Sequence, residues 1–83
     1  MPLFIDVHNL DATVTLAEAA QAHQADVATQ GPFGVSYDRY WVDEAAGKIF
    51  CLVEAPDAET AHAVHRQAHG LVADEIYTVV EGA

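Results

Sequence analysis

Two stretches of helix-forming residues, each with its own start and stop signals, divide the chain into strand, helix, strand, strand, helix, strand. Few folds accept that order in 83 residues. The opening "PLFIDVH" alternates Leu3, Ile5 and Val7 with Phe4, Asp6 and His8, the period-2 pattern of a strand. Thr15 and Glu18 then have the spacing of a capping box. In that motif the hydroxyl accepts from the third helical amide and the carboxylate accepts from the cap amide. Strong helix formers run from Leu16 to about Gln30, and Gly31-Pro32 ends the helix. Residues 35–42, "VSYDRYWV", are rich in β-branched and aromatic side chains and read as a second strand. A turn over Asp43–Gly47 returns the chain as a third strand, "KIFCLVE", over 48–54. Asp57 is placed to cap a second helix, Gly70 to close it with a Schellman turn whose apolar residue is Leu71, and "EIYTVV", 75–80, to form the last strand.

Right-handed crossovers on both helical connections, with a hairpin between them, give a ferredoxin-like βαββαβ sandwich, an α+β fold. Two helices cover one face of a four-stranded antiparallel sheet, and residues 1–83 are expected to form a single domain. The strand alternation turns Leu3, Ile5, Val7, Ile49, Cys51 and Val53 toward the helices. Phe4, Phe50 and Leu52 then face away, joined by aromatic residues from among Tyr37, Tyr40, Trp41 and Tyr77. Asp6, His8 and Glu54 are expected on this same outer face. An apolar sheet face is seldom left in water, so the expected cover is the same face of a second subunit in a C2 homodimer.

Charge excludes one class of partner. Thirteen Asp/Glu against three Lys/Arg leave a net charge of −10, which repels nucleic-acid phosphates and attracts cations. No apolar run approaches the roughly 18 residues of a membrane span. "MPLFIDVHNL" lacks a basic n-region and carries Asp6 in its apolar run, so it does not read as a signal peptide, and the cytoplasm is the expected location. Cys51 is the only cysteine, which leaves no internal disulfide and no Cys-x-x-Cys motif; alternating inward, it reads as a small hydrophobe. There is no nucleophile elbow and no glycine-rich phosphate loop.

Three of the five histidines, His62, His65 and His69, fall within "AHAVHRQAHG", residues 61–70. Spacings of i, i+3 and i, i+4 put them in one stripe beside Ala61, Val64 and Ala68, where helix neighbours can bring imidazoles onto one ion. The same spacing also suits a solvated helix flank or a pH-sensitive surface. His23 aligns with Leu16, Ala20 and Val27 on the expected inward face of the first helix, with Asp26 at i+3. That pair is either a hydrogen-bonded core histidine and its acceptor or a His–carboxylate ligand pair. Asp43 and Glu44 read as solvated turn carboxylates.

The string "YWVDEAAGKIFCLVEAPDAETAHAVHRQAHGLVADEI", Tyr40 to Ile76, together with "MPLFIDVH" and "AHQAD" at 22–26, resembles small actinobacterial-type ferredoxin-like proteins described as nickel-binding. The resemblance implies a homodimer that holds nickel at or near its surface, in a sequestration role. It makes His8, His23, His65 and His69 candidate ligands, with Asp26 and Glu54 as carboxylate partners and His62 ranked behind them. Imidazole and carboxylate donors suit Ni(II), Zn(II) and Cu(II) alike, so the donors leave the metal open. Two other classes remain: a small dimeric enzyme using His, Asp or Tyr for acid–base chemistry in a pocket, and a non-catalytic interaction module.

Overall fold

The structure is a computed structural model that describes residues 1–83. Strand β1 (Leu3–Asn9) leads into helix α1 (Leu16–Thr29) and a 3₁₀ turn over Gly31–Phe33. Strands β2 (Ser36–Asp43) and β3 (Lys48–Glu54) form the hairpin, followed by α2 (Ala58–Ala68) and β4 (Glu75–Val79). The sheet order is β2-β3-β1-β4 with every neighbouring pair antiparallel, which is the expected ferredoxin-like arrangement. The longest-range pairing places β1 at the centre, between β3 and β4.

Local signals in the chain act where they were expected. Thr15 Oγ1 accepts from the Glu18 amide at 3.1 Å, and Glu18 Oε1 accepts from the Thr15 amide at 3.1 Å, satisfying two amides that the first helical turn would leave orphaned. Asp57 Oδ1 accepts from the Thr60 amide at 2.8 Å and caps α2. Glu44, expected to be a solvated turn residue, instead accepts from the Leu16 amide at 2.9 Å. It ties the hairpin turn to the start of α1, where a negative charge also favours the helix dipole.

The facing of β1 is the reverse of the expectation. Phe4 pairs with Val53, Asp6 with Cys51 and His8 with Ile49, so Phe4, Asp6 and His8 point toward the helices and Leu3, Ile5 and Val7 point away. Period-2 alternation defines two faces without saying which is covered, and here both are apolar enough to be candidates. Glu54 pairs with Leu3 and Ser36 and stays on the outer face, so the expected grouping of Glu54 with Asp6 and His8 does not hold. On β2 a register shift between Tyr37 and Arg39 admits Asp38 as an extra residue. This bulge leaves Tyr37 and Tyr40 both on the inner face, opposite Val53 and Cys51, and sends Trp41 outward beside Phe50.

The core lies between sheet and helices, around Phe4, Val35, Tyr37, Ile49, Val53 and Val64. The helices meet it through small side chains, Ala19 on α1 and Ala61 on α2, which permits close approach. α1 is rotated from the expected stripe: Leu16 is 56% exposed and Val27 48%, while Ala19 and Asp26 are buried. His65 is only 1% exposed, a core residue and not part of a solvated border. Outside, Ile5, Val7, Phe50 and Leu52 form an apolar sheet face flanked by Trp41 and Tyr77, which are 44% and 52% exposed.

Two glycines separate backbone strain from steric room. Gly70 follows α2 with φ 82, and a Cβ there would meet open space. Gly47 closes the hairpin turn with φ 70, and a Cβ there would run into the Ala12 carbonyl. Gly70→Ala should therefore cost only the left-handed penalty, about 1–2 kcal/mol. Gly47→Ala should exceed ~3 kcal/mol, because backbone has to move as well. Urea denaturation of the two variants checks the ranking; equal losses would contradict it.

Candidate metal centre

Six side chains from five elements converge between the sheet and the helices. Asp6 and His8 lie two residues apart on the inner face of β1, as strand geometry requires, and Cys51 stands opposite Asp6 on β3. His65 descends from α2, and Asp26 reaches in from the last part of α1. Tyr37 on β2 closes the group, its ring stacked on His65 with centroids 4.4 Å apart.

The His65 imidazole is the hub. Its Nδ1 lies 2.8 Å from Asp26 Oδ1, and its Nε2 lies 2.9 Å from Asp6 Oδ2 and 3.3 Å from His8 Nε2. His8 Nε2 is also 3.4 Å from Asp6 Oδ1. Tyr37 Oη sits 2.9 Å from Asp6 Oδ2 and 3.1 Å from the Ala61 carbonyl, so its one proton serves two acceptors. Asp6 Oδ1, though buried, has no hydrogen-bond partner.

Carboxylates removed from water cost several kcal/mol each unless they are paired, and here the pairing is an imidazolium between two of them. Burial opposes charge on His65, but the hydrogen bonds to Asp26 and Asp6 outweigh it and carry the ring up to about 9. Burial likewise opposes charge on Asp6; the hydrogen bond from His65 and the close approach of the His65 and His8 rings prevail and hold it well below the usual carboxylate range. Burial, reinforced by the Asp6 charge, pushes both the Cys51 thiol and the Tyr37 hydroxyl far up. In the absence of a cation both are therefore neutral.

Asp26 has a second histidine neighbour. His69 Nε2 lies 3.1 Å from Asp26 Oδ1 but off the line of a hydrogen bond, and is buried without a partner. His69 Nδ1 accepts from the Leu71 amide at 3.1 Å. A backbone amide can only donate, so the proton of the neutral ring is on Nε2. Leu71, expected to supply the apolar contact of a Schellman turn, is half-exposed and contributes its amide instead.

Of the candidates named from sequence, His8, His65, His69 and Asp26 are thus brought together. His23 is outside this network: its ring stacks on Tyr40 with centroids 4.7 Å apart, and the expected pairing with Asp26 is replaced by His65 and His69. Neither His62 nor Glu54 joins the cluster. The neighbour of Glu54 is Asp38, whose hydrogen bond and charge raise Glu54 above the ordinary range. Alternation alone turns Asp6 outward, and it places Cys51 inward as a small hydrophobe, so neither is named as a ligand by the sequence.

Donor atoms of Asp6, His8, Cys51 and His65 lie within 4.8 Å of one another, as do those of Asp26, His65 and His69. Metal–nitrogen and metal–oxygen bonds of about 2.1 Å put neighbouring donors roughly 3.0–3.4 Å apart at octahedral or tetrahedral angles. The Asp6, His8 and His65 separations of 2.9, 3.3 and 3.4 Å match those edges, and the orphaned Asp6 oxygen supplies an unused donor.

Comparison with known proteins agrees with this chemistry. Residues 4–79 match the family described as "Nickel responsive protein SCO4226-like". The chain belongs to this family. The crystal structure of SCO4226 from Streptomyces coelicolor A3(2) superposes with a TM-score of 0.90 at 42% sequence identity, covering 98% of this chain and 99% of that one. No curated protein matches the chain. For this family member, a His/Asp/Cys cluster is a candidate metal site and no helix is long and apolar enough to cross a membrane.

The sign of the His65 shift predicts a pH dependence of stability. From its ordinary 6.5 to about 9 the folded metal-free protein holds a proton that the unfolded chain has released. Stability is therefore fully present below that window and declines as pH rises through it, by up to ~3 kcal/mol. The depressed Asp6 adds an acid limb, with stability lost as pH falls through the carboxylate range. Denaturant midpoints of chelator-treated protein across this range should show the alkaline decline, and His65→Gln should remove it.

Proposed function

We propose that the protein binds Ni(II) as cargo at the buried cluster, taking one ion per chain through Asp6, His8 and His65 with Cys51 at hand, and so sequesters it. The observation that carries this reading is the hub: two imidazole nitrogens and a carboxylate at coordination-edge spacing, one of whose oxygens has no other partner. The family description supports nickel in particular. Asp26 is best read as the carboxylate behind a ligand, accepting from His65 Nδ1 so that Nε2 faces the ion. His65 Nε2 must give up its proton on binding, and the ion replaces that proton between Asp6 and His8. Cys51, far above its ordinary range, offers a thiolate only if the ion's charge draws it out.

An adjoining pocket includes His8 and Tyr40 but excludes Glu54, and its free space of ≈ 20 Å³ accommodates about one water. That is room for an aqua ligand, which weighs toward binding over turnover of an organic substrate. We further infer a homodimer through the outer sheet face, supported by the apolar surface of Ile5, Phe50 and Leu52 and by exposed Trp41 and Tyr77.

Calorimetric titration of chelator-treated protein with Ni(II) tests the site. Asp6→Asn, His8→Ala and His65→Ala should each weaken binding by at least tenfold, and Asp26→Asn by about 10–100-fold with stoichiometry kept. Glu54→Gln and His62→Ala should leave binding unchanged. Apparent affinity should rise with pH toward about 9 as His65 releases its proton more easily, and uptake of one ion should release about one proton at pH 7. Full-strength binding by Asp6→Asn would refute the buried site. For the assembly, Leu52→Asp should convert a dimeric light-scattering mass to monomer, and a monomeric native protein would refute the interface.

A further inference from the structure

Residues 70–74 carry the chain from the end of α2 to β4, and they are held mainly at their ends. The Gly70 amide donates to the His65 carbonyl at 2.9 Å, and the Asp74 amide to the Val7 carbonyl at 2.9 Å. Between them Val72 and Ala73 make no backbone hydrogen bond, and the Leu71 amide donates to the His69 ring. Gly70 has φ 82 with open space where a Cβ would stand, so the backbone can turn there freely. At the other end the Asp74 carboxylate accepts from the Asn9 amide at 2.6 Å. Asn9 is itself steadied by the Lys48 ammonium, which donates to its Oδ1. The segment thus has a pivot at one end and a charge-assisted catch at the other. Leu71, between the two, shares the wall of the pocket with Leu10, Ile49 and Cys51. It is the most exposed of the lining side chains, whereas Cys51 is buried.

We propose that residues 70–74 form a strap over this pocket, latched to the end of β1 by Asp74 and pivoting at Gly70, and that its opening admits small uncharged solutes while sheet and helices stay folded. The inference stands apart from the metal reading, since nothing in it requires an ion. Segments with few buried apolar contacts and exposed hydrogen bonds open at a lower free energy than the whole fold, and this segment has both traits. Leu71 is already half in water, and its amide bond to His69 Nδ1 is exposed. The Asn9–Asp74 bond is exposed too, so water can replace it. His69 stays with α2 as the strap leaves, because its own amide is held by the His65 carbonyl at 3.1 Å. Closed, the pocket has room for about one water, so anything larger enters only when Leu71 moves aside. Its lining is mostly apolar, which accepts an uncharged solute at lower cost than an ion.

Cys51 reports the opening, being the only cysteine and part of the pocket wall. The full chain, treated with chelator, is exposed to methyl methanethiolsulfonate, a small uncharged thiol reagent, and labelling is followed by mass spectrometry at several urea concentrations. Labelling through global unfolding rises steeply with urea, whereas labelling through the strap is nearly flat, because little surface is exposed. Native protein should show the flat regime below its unfolding transition. Asp74→Ala, which releases the latch, should speed labelling there by about tenfold or more. Asp74→Asn keeps an oxygen for the Asn9 amide and should stay near the native rate, while Leu71→Ala, which removes the plug, should be fast. Steep urea dependence throughout in the native protein would overturn the proposal, as would an unchanged flat-regime rate in Asp74→Ala. Equal acceleration by Thr15→Ala, which weakens the start of α1 instead, would move the opening to α1 and overturn it too. Circular dichroism checks folding, and if Asp74→Ala does not fold, Leu71→Ala decides. With no metal present at any stage, failure of the Ni(II) site leaves this outcome unaffected.

Discussion

One imidazole held between two carboxylates organises this molecule. Asp26, His65 and Asp6 come from α1, α2 and β1, so their contacts at 2.8 and 2.9 Å join both helices to the central strand. Nothing else in the core has that reach. The apolar part is built largely from Val and Ala, whose contacts are non-directional and tolerate sliding. Charge-assisted hydrogen bonds do not slide, and they set the rotation of α1 that exposes Leu16 and Val27. A purely hydrophobic argument would have turned that helix the other way.

This explains what the sequence discloses and what it withholds. Element order, the Thr15–Glu18 box, the Asp57 cap and the left-handed Gly70 were legible because each depends on neighbours a few residues away. The inward alternation of Ile49, Cys51 and Val53 was legible too, since β3 places its polar ends, Lys48 and Glu54, on the outer side. β1 was not. Leu3, Ile5 and Val7 look like a core-facing set, and only the distant partners His65 and Asp26 make burial of Asp6 and His8 tolerable. Histidine spacing on α2 singled out His65 and His69, while Asp6 and Cys51 required the strand pairing. Asp38 hid a further step: a bulge has no period, so the common facing of Tyr37 and Tyr40 could not be read from alternation.

In the proposed reading, proton and metal ion are alternatives at the hub. Without an ion the proton on His65 Nε2 is what reconciles Asp6 with burial; a divalent cation at the same position would carry twice the charge onto the same oxygens. The second carboxylate, behind the ring, suits both states, because it accepts from Nδ1 whether Nε2 bears a proton or a metal. A site built this way needs little rearrangement on exchange.

The bulge at Asp38 also bears on how copies of this chain can meet. β2 is an edge of the sheet, and a regular exposed edge is a template onto which further chains can add without limit, the route to fibres. An unpaired residue breaks that template, and the Asp38 carboxylate repels an identical strand approaching the edge. The proposed homodimer would instead use the sheet face, where a twofold contact would use up its own surface and growth would stop at two.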